Sequence, residues 1–225
     1  MRKENPKDLS HIDSWVFDLD NTLYDAESHI FAEVGRRMTD FVASHLQIPH
    51  EEADIKRKHF YKTYGTTLRG MMTEHGMEPD IFLKHVHDVD VTTVTPCEIT
   101  KVSLAHLPGR RFVFTNAPRA FAEEMVAHLG IAHYFDGLFA IEDAAYVPKP
   151  NVETYHIFLK KYGIDPATAC MFEDMEVNLR TAHDLGMSTV WFHGKNVKPE
   201  ELNYPHTHHT SEKLSDWLEK HVAKR

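Results

Sequence analysis

Two carboxylates one residue apart, Asp18 and Asp20, close an apolar run in "SWVFDLDNTLYD", Ser14 to Asp25. In an extended segment, residues i and i+2 project to the same side, so both acids can address one ligand. Trp15, Val16, Phe17 and Leu19 are the side chains of a strand buried on both faces, where an isolated Asp is costly. Such a carboxylate could attack a phosphoester, but the two partners are both anions and repel each other. A divalent cation held by Asp18 and Asp174 would cancel that repulsion, and an all-oxygen donor set favours Mg²⁺. Lys149, between two prolines in "YVPKPN", would add a second positive charge. The Thr115 hydroxyl and nearby backbone N–H groups would fix the group being transferred.

Taken singly, each of these residues has a plainer explanation. Asp and Asn after a strand form turns or cap helices, and a lone Lys is usually a solvated surface residue. What joins them is the set of elements that must carry them. "RRFVFTN" reads as a strand ending at Thr115 and Asn116, and "ACMFED" as one ending at Glu173 and Asp174. "GLFAIEDA" and "STVWFH" supply two further strands. Between them lie helical patterns: Phe121, Met125 and Leu129 after Pro118; Tyr155, Phe158, Leu159 and Tyr162 before Gly163; "MEVNLRTAHDLG"; and a closing helix with Leu214, Trp217, Leu218 and Val222 on one face. Strand and helix alternating in short units predicts an α/β fold, a doubly wound, Rossmann-like parallel sheet covered on both faces. Ligands bind such sheets outside the carboxyl ends of the strands, where Asp18, Asp20, Thr115, Asn116, Glu173 and Asp174 fall.

From Ala26 to about Leu104 the pattern is helical, with no strand signal. Ile30, Phe31, Val34, Met38, Phe41 and Val42 share one stripe, and "HEEADIKRKHFYKTYG" and "EPDIFLKHVHDV" follow. The expected organisation is a core of residues 1–25 and 104–225 interrupted by an all-helical insertion, residues 26–103. A net charge of −9 argues against a nucleic-acid polymer or an anionic membrane as partner. Cys97 and Cys170 stand in no metal-ligand spacing and suit a reducing compartment. No apolar run approaches the length of a membrane span, and the N-terminus lacks an apolar signal core, so a cytoplasmic location is expected. The histidine cluster in "PHTHHT" reads as a solvated loop before the last helix, although a metal site there is conceivable.

The residues at the strand ends resemble the four motifs of the haloacid dehalogenase superfamily, most of whose members are phosphohydrolases. Asp18-Leu19-Asp20-Asn21-Thr22 matches its D-x-D-x-T, Thr115 its strand-end hydroxyl, Lys149 its lysine, and Glu173-Asp174 its acidic pair. The resemblance implies that Asp18 forms an aspartyl-phosphate. Asp20 would protonate the leaving oxygen and then deprotonate the attacking water. Mg²⁺ would sit on Asp18, the Asp20 backbone carbonyl and Asp174, with Glu173 holding outer waters. Asp20 argues for phosphoryl transfer over dehalogenation, because a halide needs no proton to leave. Where the family often has another Asp, this chain has Asn178, which could steady Lys149 or a metal-bound water.

The helical insertion corresponds to the family's cap. Within it, "YGTTLRG", together with "FDLDNTLY" and "FEDMEVNL", resembles the pyrimidine 5′-nucleotidase branch. That points to a small phosphorylated metabolite, a nucleotide such as UMP or CMP, as substrate, with Asn116 beside the phosphate. Gly65 and Gly70 bracket a short turn there that could approach a ligand, and Tyr64 and Arg69 offer a stacking face and a fork of donors for it, or else merely occupy a helix junction. Alternatives are a sugar-phosphate or phosphoglycolate phosphatase, a phosphomutase, or a binding module without turnover. The chain could be a monomer or a homodimer.

Overall fold

The computed structural model describes residues 8–25, 29–193 and 204–222. Six parallel strands form one sheet in the order β3-β2-β1-β4-β5-β6, where β1 is Ser14–Phe17, β2 Arg110–Phe114, β3 Gly137–Phe139, β4 Ala169–Glu173, β5 Ser188–Phe192 and β6 His209–Ser211. Side chains alternate between the two faces of a strand, and here the alternation separates two apolar clusters. Trp15, Phe17, Val113, Phe172 and Val190 face one side, Val16, Phe112, Phe114 and Met171 the other. On the first face lie Leu104 of α5 (Glu98–His106), Phe121 and Met125 of α6 (Arg119–His128), and Trp217 and Leu218 of α9 (Leu214–Val222). Tyr155 and Phe158 of α7 (Val152–Tyr162) and Leu179 of α8 (Glu176–Asp184) cover the second. The expected doubly wound α/β architecture is what forms.

Strand order places the site. From β1 the chain winds outward through β2 and β3, then returns to lay β4 on the other side of β1. The carboxyl ends of β1, β2 and β4 therefore meet at the point where the winding reverses, the place such sheets leave open for ligands. Phe17 pairs in register with both Val113 and Phe172, so the residues that follow emerge at one level.

The helices α1 (His29–Leu46), α2 (His50–Tyr64), α3 (Thr67–His75) and α4 (Pro79–Val86) share a third apolar cluster, built on Val42, Phe60, Met71, Phe82 and Val86. Gly65, in left-handed conformation with φ +83°, ends α2. A Cβ there would meet Pro148 Cγ at 3.3 Å, so the turn after α2 abuts the loop that carries Lys149. Tyr146, from the same loop, donates a hydrogen bond to Asp80 Oδ1 of α4 at 3.0 Å. The expected boundary between residues 103 and 104 falls inside α5, which packs on α9 beside the sheet.

Two local expectations change. The histidine-rich segment is not a solvated loop: His209–Ser211 pairs with β5 as an edge strand. His206 is buried with its ring against the Glu176 carboxylate, and His208 Nδ1 accepts from Thr189 N–H at 3.1 Å. The segment "YGTTLRG" is not an open turn. Thr66 caps α3, its hydroxyl accepting from Arg69 N–H at 3.1 Å, and a Cβ on Gly70 would lie 2.4 Å from the Phe60 ring. Gly70 thus serves the close approach of two helices rather than of a ligand.

Candidate active site

Lys149 is the hub of the strand-end cluster. Its Nζ donates to Asp18 Oδ1 at 2.6 Å, to Glu173 Oε2 at 2.8 Å and to the Phe114 carbonyl at 2.8 Å. Three donors thus meet three acceptors from the ends of β1, β4 and β2. Its backbone is fixed by Asn116, whose Oδ1 accepts from Lys149 N–H at 2.8 Å and whose Nδ2 donates to Lys149 O at 3.2 Å. Thr115 is buried, and its Oγ1 accepts from Ala117 N–H at 2.9 Å in the turn leaving β2. Beyond β1 the chain folds back on itself, with Asn21 at φ 57° and the Tyr24 hydroxyl donating to Asp20 Oδ1. Asn21 Nδ2 donates to Asp174 Oδ2 at 3.0 Å, and Trp191 Nε1 to the Asp174 carbonyl at 2.8 Å. Asp18, Asp20, Thr115, Asn116, Lys149 and Asp174 are thus brought to one rim, as the strand ends suggested.

Four carboxylates around one ammonium leave an excess of negative charge. Burial raises the Asp18 pKa well above the ordinary carboxylate range, and the charge of Glu173 adds to this against the opposing effect of Lys149. Burial, then Glu173 and Asp18, push Asp174 up to about 9. Asp20 is also raised by burial, against the stabilising bond from Tyr24. Lys149, which burial alone would discharge, is held charged by Asp18 and Glu173. Asp18, Glu173 and Asp174 each offer a carboxylate oxygen within 4.8 Å of the others. An all-oxygen, over-anionic group of this kind suits a hard divalent cation such as Mg²⁺. Glu173 is engaged through both oxygens, Oε2 by Lys149 and Oε1 by Met175 N–H at 3.1 Å. That leaves Asp18 and Asp174 as the side chains that could hold such an ion. Glu173 neutralises Lys149. Asn178 lines the neighbouring cavity, and Lys149 is steadied without it.

A cavity of about 700 Å³ runs from Asp20, Asn116 and Lys149 into the helices α1–α4. Tyr64 and Arg69 do not line it. The Tyr64 hydroxyl donates to Glu74 Oε1 at 3.1 Å, across the seam between α2 and α3. Tyr61, one turn earlier on α2, does line it, and its phenol is raised by burial and by the charges of Asp174 and Glu173. Sequence reading passed over Tyr61 and Tyr24. An aromatic in a helix and one at the end of a loop carry no signal of the acids they reach across space.

The chain matches the haloacid dehalogenase-like hydrolases over residues 12–186. It belongs to that family. Among relatives of this hydrolase is the fructose-1-phosphate phosphatase YqaB of Escherichia coli, 34% identical over 84 residues, which are 36% of this chain and 44% of YqaB. The chain thus spans less than half of that relative. The glyceraldehyde 3-phosphate phosphatase of Methanocaldococcus jannaschii is 26% identical over 192 residues, 78% of this chain and 82% of that protein. A HAD phosphatase from Thermococcus onnurineus superposes with a TM-score of 0.65 at 18% identity, covering 93% of this chain and 97% of its own, a likeness of fold.

Proposed function

We propose that this hydrolase is a Mg²⁺-dependent phosphomonoesterase acting on a small phosphorylated metabolite. The observation that carries the proposal is the contact of Lys149 with both Asp18 and Glu173 beside Asp174, with Asp20 on the same rim. Asp18 attacks phosphorus, and the phosphorus–oxygen bond to the leaving group breaks as the aspartyl-phosphate forms. Asp20 gives its proton to the departing oxygen. Burial favours the protonated acid, and the Tyr24 bond fixes its orientation. Asp20, now a carboxylate, takes a proton from the water that attacks the intermediate, which returns Asp18 and frees phosphate. The turn at Thr115 holds the phosphoryl oxygens, and Lys149, whose three donors are already on Asp18, Glu173 and the Phe114 carbonyl, contributes its positive charge. Asp18 and Asp174 would hold Mg²⁺, whose positive charge would offset the repulsion between carboxylate and phosphate.

Helices α1–α4 act as the cap, and the sheet with α5–α9 forms the core. The substrate favoured by the sequence motifs is a pyrimidine nucleoside 5′-monophosphate. A second reading, a sugar phosphate, is favoured by the names of the E. coli and M. jannaschii relatives. A phosphate-release panel of UMP, CMP, fructose 1-phosphate and glyceraldehyde 3-phosphate, with and without Mg²⁺, separates the two. Turnover independent of Mg²⁺, or none with any phosphomonoester, sinks the proposal.

A further inference from the structure

Several polar groups on the wall of the cavity are committed to the protein itself. Both ends of the Asn116 amide bind Lys149, at 2.8 and 3.2 Å. The Thr66 hydroxyl accepts from Arg69 N–H at 3.1 Å, and the Thr67 hydroxyl donates to the Arg57 carbonyl at 3.4 Å. Arg57 is drawn to Asp54 at 2.8 Å, and His87 Nδ1 lies 3.1 Å from the Leu83 carbonyl. Arg57 Nε, buried without a hydrogen-bond partner among the described residues, and Lys62 remain on the wall for polar contacts with a leaving group. Against this, Phe31, Tyr61, Met175 and Val177 all line the same cavity and are 40–50% exposed, unusual for large apolar side chains. Exposed apolar surface gathered at one cavity marks a place where a ligand is covered.

Tyr61 occupies a particular position in this group. It belongs to α2 of the helical block, yet its phenol is near enough to Asp174 and Glu173 to feel their charges. Met175 directly follows Asp174 in the chain, so Tyr61 and Met175 flank the mouth from the block and from the sheet respectively. Among the described residues the Tyr61 hydroxyl makes no hydrogen bond, which leaves ring and hydroxyl both available.

We infer that Tyr61 is the specificity-determining residue of this site, selecting phosphomonoesters whose leaving group presents a flat, unsaturated ring to be held between Tyr61 and the Met175–Val177 edge. The inference rests on the phosphomonoesterase reading and deepens it. UMP and ribose 5-phosphate are the decisive pair, because they share the phosphate and the sugar and differ by the base. Base–aromatic stacking contributes about 1–3 kcal/mol, so Tyr61→Ala should erase at least about fivefold of the preference for UMP, mainly through KM. Tyr61→Phe should keep that preference. Because Tyr61 is half exposed, both variants are expected to fold, and thermal unfolding checks this. The inference is overturned if wild-type protein treats UMP and ribose 5-phosphate alike, or if Tyr61→Ala weakens both equally. Calorimetric binding of the two compounds gives the same comparison without turnover. Base-dependent binding that needs Tyr61, in a protein that releases no phosphate, would support the Tyr61 assignment and remove the reaction.

Discussion

Two charge clusters in this molecule have mirror-image compositions. At the rim, one buried ammonium, Lys149, sits between two carboxylates, Asp18 and Glu173, at 2.6 and 2.8 Å. Near the end of β3, one carboxylate, Asp143, sits between two half-exposed cations, Arg119 and Lys161, the latter at 2.7 Å. Burial alone would raise the Asp143 pKa, but the bonds from Lys161 and Ala140 N–H and the charge of Arg119 bring it below the usual carboxylate value. At the rim the balance runs the other way, and the acids are pushed upward. The outer cluster is complete within the protein. The inner one, with Asp20 and Asp174 added, is complete only with further positive charge, which is what separates a structural ion pair from a site.

The contrast can be tested at four points, in falling order of effect. Asp18→Asn is expected to lower phosphate release on the order of 10³-fold or more. Because the substitution removes a strained charge, the thermal midpoint should not fall; retained turnover would end the nucleophile assignment. Next, Lys149→Met leaves two buried acids unpaired and should cost about 3 kcal/mol in urea unfolding. Lys161→Met in the outer cluster should cost no more than about 1 kcal/mol, and equal costs would erase the distinction. Third, Mg²⁺ at a hundredfold excess over its Kd should stabilise the wild type by about 2.7 kcal/mol, and a chelator should reverse the effect. Asp174→Asn should abolish most of that shift. The smallest effect concerns pH. The depressed Asp143 pKa means that its contribution is fully present above about pH 4, the unfolded value, and is lost as pH falls through the folded one. The stability gap between wild type and Asp143→Asn should therefore be constant near neutrality and narrow in acid. A gap that widens in acid would contradict the sign.

Much of this was legible from the strand ends. An Asp that closes a doubly buried strand demands a reason, and "RRFVFTN", "VPKP" and "FEDM" placed the other members of the group at comparable ends. Sheet order could then do the rest, since β1 lies between β2 and β4. The division of labour between Glu173 and Asp174 was not legible. Adjacent acids look alike in sequence, and only the last residue of β4 turns inward to Lys149. The edge strand β6 is not legible because its three residues, His209, Thr210 and Ser211, are polar and too few to show a period. Tyr64 stands out in sequence because glycine follows it in "YGTTLRG", whereas the geometry of α2 turns Tyr61, not Tyr64, toward the cavity.

The loop before α7 is gripped from the helical block at two points, Tyr146 on Asp80 and Pro148 against Gly65. Both lie within three residues of Lys149. A swing of the block away from this loop would break the first contact and relieve the second, whereas the bonds that hold Lys149, to Asp18, Glu173, Asn116 and the Phe114 carbonyl, all come from the sheet side and would persist. The helical block thus touches the lysine-bearing loop without touching the lysine, and the charged cluster keeps its geometry whatever stands above it.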